Sequence, residues 1–520
     1  MSRSEQHNNA AWLVDRHASG VVGDRIAVRC RGVDTTYAEL STELFRAQHA
    51  LAELGVSAGE RVVLVLDDDL SFPAWFLGAQ RSGVVPVPLS TMLTGAELGP
   101  IVADAGAVAL VVSARHASSV ETVVAAAPSI RTVVVSGDTG GAPPEVGGAA
   151  VVAWASFVDR SERPVADTTV DSPAFWLYSS GTTGVPKGVM HVHGSPRATA
   201  LTYADEVLAI TDDDRFLSVA KLFFAYGLGN SLTFPFSVGA TAILHPDPPT
   251  PASFVELIAD EQPTLFFSSP GFCAALLDAD PSPATFSSVR ATITAGESLP
   301  ADVQQRFSTR SGSPVLDGIG STELLHIFIS NTLDRQTPGS SGVPVPGYDA
   351  ELRADNGDVV SASDTPGYLH VRGPSAAIGY HERPDATAAA FRDGWVRTGD
   401  VYTRSADGTY TFLGRNSDMI KAGGIWVSPA EVESTLIEHG DVLEVAVVGA
   451  RNADGLEEVV AFVVPASGAE PDPAELERHC RDRMAAFKRP RRIVVVDSLP
   501  KTATGKIRRF ALRDSLGPAS

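Results

Sequence analysis

The sequence predicts an α/β protein: a large N-terminal domain of doubly wound sheets with a β-rich subdomain, followed by a small α+β C-terminal domain. Three observations carry this. Short Val/Ile/Leu-rich runs alternate with helical segments over the first 330 or so residues, the pattern of parallel strands joined by crossover helices. Between residues 338 and 414 the helical periods thin out and short alternating segments replace them. The last stretch, 415–520, has its own helix and strand signals and a basic end. At 520 residues the chain is also too long for one hydrophobic core.

In order, residues 1–58 read as a polar lead, a strand near 26–31, a tight turn and a helix from Thr36. In that helix Tyr37, Leu40, Leu44, Ala47 and Leu51 recur at helical spacing. From Arg61 a β-α-β pattern follows: a strand at 62–66, a helix at 72–80 and a strand at 84–88. Apolar runs at 108–112 and 132–135 extend the sheet, and the Gly/Pro-rich stretch 136–148 reads as an exposed loop. Phe175-Trp176-Leu177-Tyr178 reads as a short strand that breaks into a Ser/Thr/Gly loop. Residues 216–220, 241–245, 264–268 and 291–295 are strand-like. Residues 368–371 and 410–413 belong to the β-rich part. The last unit begins with a helix at 429–438. Strands at 443–448, 458–464 and 493–496 follow around a helix at 473–484.

Composition narrows the function. Hydrophobic content of 44% and charged content of 20% are those of an ordinary soluble protein. A net charge of −21 argues against a nucleic-acid or anionic-membrane binder, so any polyanionic ligand must be held by local basic groups. Cys30, Cys273 and Cys480 have neither metal-ligand spacing nor a disulfide framework, and read as small buried hydrophobes. The polar N-terminus lacks a signal peptide, and no apolar run reaches the roughly 18 residues a membrane span needs. A cytoplasmic location without membrane partners is the expectation.

The stretch 178–192, YSSGTTGVPKGVMHV, carries the strongest chemical signal. Glycines let backbone N–H groups converge, hydroxyls add donors and Lys187 adds a full charge, which together cradle a polyphosphate. The spacing is not that of a P-loop, because Pro186 precedes the lysine and Gly188 follows it. Gly320-Ser321-Thr322-Glu323 places a carboxylate at a helix start, where it would serve as a cap or meet magnesium beside phosphates. Thr398-Gly399-Asp400 supplies an acid for a ribose diol. Gly414-Arg415, Asp418 and Lys421-Ala422-Gly423-Gly424 couple cations to flexible backbone at the domain junction, and Lys501–Lys506 puts a lysine on a loop able to move.

Taken together, in this order and spacing, these motifs resemble the adenylate-forming superfamily of acyl- and aryl-CoA ligases, peptide-synthetase adenylation domains and firefly-type luciferases. The resemblance covers nearly the whole chain. It implies an N-terminal domain at 1–414, a mobile C-terminal domain at 415–520, and two half-reactions in one site. A carboxylate attacks the α-phosphate of ATP, then a thiol displaces AMP. By that resemblance Ser179, Thr182, Thr183, Gly184 and Lys187 hold the β,γ-phosphates, and Gly296, Glu297, Gly318 and Ile319 line the adenine site. Thr322 touches the α-phosphate and Glu323 binds Mg²⁺. Asp400 and Arg415 hold the ribose, and Lys506 stabilises charge during adenylation. Two positions depart from the family pattern. Ile319 stands where an aromatic residue usually stacks on adenine, and Ser417 stands at the hinge where Asp or Lys is usual.

KLFFAYGLGN (221–230) and GIGSTELLHIF (318–328) resemble benzoate-CoA ligases and their hydroxybenzoate relatives. The resemblance implies a flat pocket lined by Phe224, Ala225, Tyr226, Gly227, Gly320, His326 and Ile327. Ala225 stands where amino-acid-activating relatives carry an aspartate, so an ammonium group would be buried unpaired there. Lys421, Gly423, Gly424 and Trp426 would line the path to the thiol, and free coenzyme A is the expected acceptor. The expected partner is a small aromatic carboxylate, with benzoate preferred. Alternatives are a hydroxy- or aminobenzoate-CoA ligase and a stand-alone aryl-acid enzyme loading a carrier protein. A homodimer is left open.

Overall fold

A computed structural model describes residues 5–138, 145–180, 186–422, 425–451, 457–501 and 507–516. Its first sheet runs, in spatial order, through Val85–Pro88, Arg61–Val65, Ala109–Ser113, Thr132–Ser136 and Ala149–Ala153, all parallel, with Glu145–Val146 antiparallel at one edge. The valine-rich strands do not alternate with polar residues because both faces are covered. Val62 and Leu64 pack with Trp75, Phe76 and Leu77 of the helix Ser71–Arg81. Val63 and Val65, pointing the other way, pack with Leu98 and Val102 of Gly95–Asp104 and with Val123 of Val120–Ala126.

The second sheet has nine strands. Its six central strands are parallel, in the order Val315–Gly320, Ala291–Thr294, Leu265–Ser268, Arg215–Ser218, Thr241–Leu244 and Ile26–Cys30. Antiparallel strands finish both edges: Val33–Thr36 at one, Ile327–Ser330 and Val343–Pro344 at the other. The helix Tyr37–Glu53 begins with a capping box between Thr36 and Glu39 and buries the five apolar positions its spacing predicts. It lies against Ser71–Arg81 so closely that a Cβ on Gly78 would come 2.6 Å from the Ala47 methyl.

Three sequence expectations need correction. Pro186-Lys187-Gly188 is not loop. It opens the strand Pro186–Val192, which pairs antiparallel with Pro173–Ser180 and, on its other side, with Gly379–Tyr380. Pro186 tolerates this because a first strand position needs no ladder N–H, while Val189 and Met190 supply the apolar surface. Residues 181–185 of the Ser/Thr/Gly run lie outside the described residues. Gly320–Glu323 does not start a helix either: Thr322–Leu324 is one 3-10 turn, and the chain doubles back into Ile327–Ser330. The stretch 136–148 also contains a short strand, Glu145–Val146.

The β-rich part is a five-stranded antiparallel sheet of Asp349–Arg353, Gly367–Arg372, Trp395–Arg404, Phe391–Arg392 and Tyr410–Arg415. Beyond it the C-terminal unit opens with a small hairpin, Ile420–Ala422 with Ile425–Val427, and not directly with the helix Pro429–Ile437. Val442–Arg451, Glu457–Pro465 and Arg492–Val495 then form a sheet beside the helix Pro473–Arg483. One apolar cluster runs from Phe254, Phe266 and Phe307 of the large domain into Val432, Val447 and Leu476 of the small one. All three cysteines are free thiols. Among the described residues no helix is long and apolar enough to cross a membrane.

Trp75 is fully buried, with its ring 4.8 Å from that of Trp154. Trp75→Ala should destabilise the large domain by about 3–5 kcal/mol, seen as a lower urea midpoint with an unchanged slope.

Candidate active site

The three-stranded sheet brings Lys187 toward Glu323 of the Gly-x-Thr-Glu turn. The Tyr380 hydroxyl donates to Glu323 Oε1 at 2.9 Å, and Lys187 Nζ lies 5.2 Å from the centre of the Tyr380 ring. Lys187 and His191, four apart on one strand, face the same side. His191 Nε2 donates to the Thr322 carbonyl at 2.8 Å while its ring stacks on Phe175. Burial pushes His191 down to about 4, so it stays neutral and acts only as a hydrogen-bonding brace. Burial and the neighbouring Glu323 carboxylate raise the Tyr380 phenol, which keeps its proton and holds the carboxylate in one orientation. Among the described residues no group of three or more His, Cys, Asp or Glu could cage a metal. One braced carboxylate instead fits Mg²⁺, which takes one or two carboxylates and completes its shell with phosphate oxygens and water.

Gly296 and Glu297 lie just past Ala291–Thr294, and Gly318 and Ile319 close the adjacent parallel strand. They thus share the carboxyl edge of the sheet, where open α/β sheets bind ligands. Gly318 and Gly320 are glycines for steric reasons. A Cβ at 318 would approach Ile327 Cγ2 to 2.9 Å, and one at 320 would approach the His326 carbonyl oxygen to 2.6 Å. Asp317, fully buried, accepts from Thr294 Oγ1 at 3.0 Å, and burial lifts its pKa well above the carboxylate range.

Asp400 and Arg415 are direct partners across two strands, with Nε to Oδ1 at 3.0 Å, and Arg415 also donates to the Thr398 carbonyl. The buried Tyr402 hydroxyl pairs with Ser341 Oγ at 3.2 Å, and burial with the nearby Asp400 charge raises its pKa. At the junction, the Asn416 N–H donates to the Gly399 carbonyl and Arg513 pairs with Asp418 at 2.5 Å. Ser417 lies exposed between those two anchors. Lys421 and Trp426 face each other in register across the small hairpin. Thr182, Thr183, Gly184, Gly423, Gly424 and Lys506 lie outside the described residues, and Ser179 pairs with Lys187 in the strand register.

The aromatic wall is assembled around Phe224–Gly227. Gly227 packs so tightly that a Cβ would fall 2.1 Å from the Lys221 carbonyl oxygen. The segment is pinned beneath. The Leu222 N–H donates to the buried Asp68 carboxylate at 3.1 Å, and Lys221 Nζ donates to the carbonyls of His245 and Asp247. From the opposite side Leu325, forced to a φ of 67°, turns the chain so that His326 packs among Tyr203, Tyr226 and Phe234. Gly229 makes room, since a Cβ there would lie 2.3 Å from the His326 ring.

Sequence reasoning missed His191, Tyr380, Asp68 and Gly229. Gly229 and His191 stood inside quoted motifs, but His191, Tyr380 and Asp68 acquire meaning only through contacts made at long range.

The AMP-binding enzyme family matches residues 14–381, and the AMP-binding enzyme C-terminal domain matches residues 431–506. The chain is 41% identical over 516 residues to a benzoate–CoA ligase of Thauera aromatica, covering 98% of this chain and 96% of that one. It is 41% identical over 517 residues to a 4-hydroxybenzoate–CoA/benzoate–CoA ligase of Rhodopseudomonas palustris, covering 98% and 94%. Among solved structures, a benzoate CoA ligase from Burkholderia xenovorans superposes with a TM-score of 0.90 at 40% identity, covering 98% of this chain and all of that one. An anthranilate CoA ligase in complex with anthranoyl-AMP gives 0.92 at 35% identity, covering 98% and 97%.

Burial lifts Asp68 to about 7, against an ordinary value of about 3.9 in an unfolded chain. Between about pH 4 and 7 the folded state therefore keeps a proton that the unfolded chain has lost. This group's contribution to unfolding free energy falls by about 1.4 kcal/mol per unit as pH rises, and is level above 7. Asp68→Asn keeps an acceptor for Leu222 without ionising. Its stability relative to the parent should grow from pH 4 to 7 and then plateau, read from urea midpoints across a pH series.

Proposed function

The chain belongs to the AMP-binding enzyme family, and on that premise we propose that it is an ATP-dependent acid–thiol ligase converting benzoate, ATP and coenzyme A to benzoyl-CoA, AMP and diphosphate. The observation that carries this reading is the likeness to benzoate–CoA ligases over 98% of the chain. The aromatic wall supports it: Phe224 and Tyr226 offer flat surfaces, and Ala225 offers no charge to an amino group.

In the first step a benzoate oxygen bonds to the α-phosphorus as the bond to the diphosphate oxygen breaks. Thr182, Thr183 and Gly184, together with Lys187, hold the leaving diphosphate. Glu323, oriented by Tyr380, would hold Mg²⁺, whose charge offsets that of the phosphates. Thr322, whose carbonyl His191 braces, contacts the α-phosphate, and Asp400 with Arg415 holds the ribose. Lys506 meets the charge that grows on the α-phosphate, where a positioned cation lowers the barrier most. In the second step the coenzyme A thiol gives up its proton to solvent, its sulfur bonds to the acyl carbon, and AMP leaves with the C–O electron pair. The domain at 415–520 turns about Ser417 between the steps, bringing the Lys421–Trp426 hairpin along the pantetheine arm. Such an enzyme works in the cytoplasm, where ATP and coenzyme A are supplied.

With a panel of aryl, fatty and α-amino acids, thioester and diphosphate release should be fastest with benzoate. Amino acids should fail, since leaving an ammonium unpaired in this wall costs on the order of several kcal/mol. Preference for a non-aromatic acid would remove the aryl assignment. Lys506→Ala should slow adenylation by about 10²–10³-fold yet still convert supplied benzoyl-adenylate to thioester. Equal losses in both halves would refute its role.

A further inference from the structure

Asp104 takes no part in the proposed reaction, yet two segments of the active-site sheet converge on it. It is the last residue of the helix Gly95–Asp104, which covers one face of the first sheet. The Tyr178 hydroxyl donates to its Oδ2 at 2.7 Å, and Arg383 Nη2 donates to its Oδ1 at 2.6 Å. Burial and the carboxylate itself raise the Tyr178 phenol, so it keeps its proton and remains the donor. Each carboxylate oxygen thus holds a different segment: Tyr178 from Pro173–Ser180, and Arg383 from the chain just after Gly379–Tyr380. Those are the two flanks of the strand that carries Lys187.

An acid at a helix C-terminus faces the carbonyl end of the helix dipole, which disfavours it there. Two features offset that. Arg61 donates to the carbonyls of Ala105 and Gly106 at 2.9 and 3.0 Å. Arg383 brings a full positive charge to a pair whose side chains are only 35% and 20% exposed, and charge-assisted bonds of this kind are the strong ones. The grip passes to the strand in between through short contacts. Gly188 is opposite Tyr178 in register, and a Cβ on it would come 3.2 Å from the phenol ring. On the other side the His381 N–H donates to the Gly188 carbonyl at 2.8 Å, while the His381 ring packs 4.3 Å from that of Trp176. Gly188 is therefore fixed between the two segments that Asp104 ties together. Lys187 directly precedes it, and Tyr380, whose hydroxyl holds Glu323, directly precedes His381.

We propose that Asp104 is a positioning residue for nucleotide activation: by joining Tyr178 to Arg383 it sets the spacing of Lys187 and Glu323 that MgATP and the leaving diphosphate require. This inference rests on the ligase reading above. Asp104 touches neither the acid nor the thiol, so its effect falls on one half of the reaction.

The test compares the full-length parent with Asp104→Asn, Tyr178→Phe and Arg383→Gln. Asparagine keeps an acceptor at only one of the two oxygen positions and sets an NH₂ against the other donor. In Asp104→Asn, kcat/KM for MgATP should fall about tenfold or more, while KM for benzoate and for coenzyme A stays within about twofold. The Kd for MgATP, measured by calorimetry without any acid, should weaken in step. Thioester formation from supplied benzoyl-adenylate should keep the parent rate. Tyr178→Phe and Arg383→Gln should each lose part of the same MgATP dependence. Adding Tyr178→Phe to Asp104→Asn should cost little more than Asp104→Asn alone. Tyr178→Phe removes one hydroxyl and Arg383→Gln alters a partly exposed side chain, so these two decide the matter if Asp104→Asn does not fold. Equal losses in both half-reactions, additive losses in the double variant, or unchanged MgATP kinetics would overturn the proposal and leave the ligase reading intact. A parent enzyme that forms no acyl-adenylate from any acid would overturn the ligase reading, and this inference with it.

Discussion

Backbone hydrogen bonds of the strand Pro186–Val192 run to Pro173–Ser180 on one side and to Gly379–Tyr380 on the other. That double pairing sets the geometry of everything around the candidate active site. It holds Lys187 beside Tyr380, lets Tyr380 grip Glu323, and sends His191 beneath the Thr322 carbonyl. Without it the cation and the carboxylate, more than a hundred residues apart in sequence, would have no common frame.

A second constraint is electrical. The chain carries a net charge of −21, yet the chemistry proposed for it concentrates phosphates in one place. The structure answers locally, by silencing charges where they would harm and pairing them where they orient. Burial keeps His191 and His326 neutral and disfavours charge on Asp317. Glu323 is braced by a phenol and Asp400 by a guanidinium. Neutral histidines serve as fixed dipoles here: His191 steadies the Thr322 carbonyl and His326 pairs with the Asn230 side chain.

Much of the fold was legible because parallel strands buried on both faces leave continuous Val/Ile/Leu runs, and Thr36 with Glu39 spells out a helix start. The hairpin strand at 186 was not, since proline, lysine and glycine have weak strand tendencies and only cross-strand partners outweigh them. The turn at Glu323 was misread for a related reason: its acidic first turn suits a helix, but Leu325 at a φ of 67° diverts the chain into a strand. In the site, glycines, acids and lysines in spaced motifs stood out. His191 and Tyr380 did not, because no local pattern marks a residue whose partner is distant.

The sequence by itself determined the class of chemistry, since phosphate cradling, metal holding and ribose binding each demand particular side chains at spacings that survive in one dimension. Ala225 likewise places no carboxylate at its position for an ammonium group. Tertiary structure alone decided which groups meet: that Lys187, Tyr380 and Glu323 share a corner, that Asp68 underpins the Lys221–Leu222 segment, and that Asn230 meets His326. The reason is physical. A residue's identity fixes which hydrogen bonds and charges it offers, but burial and the partners brought by long-range pairing decide which of those are used.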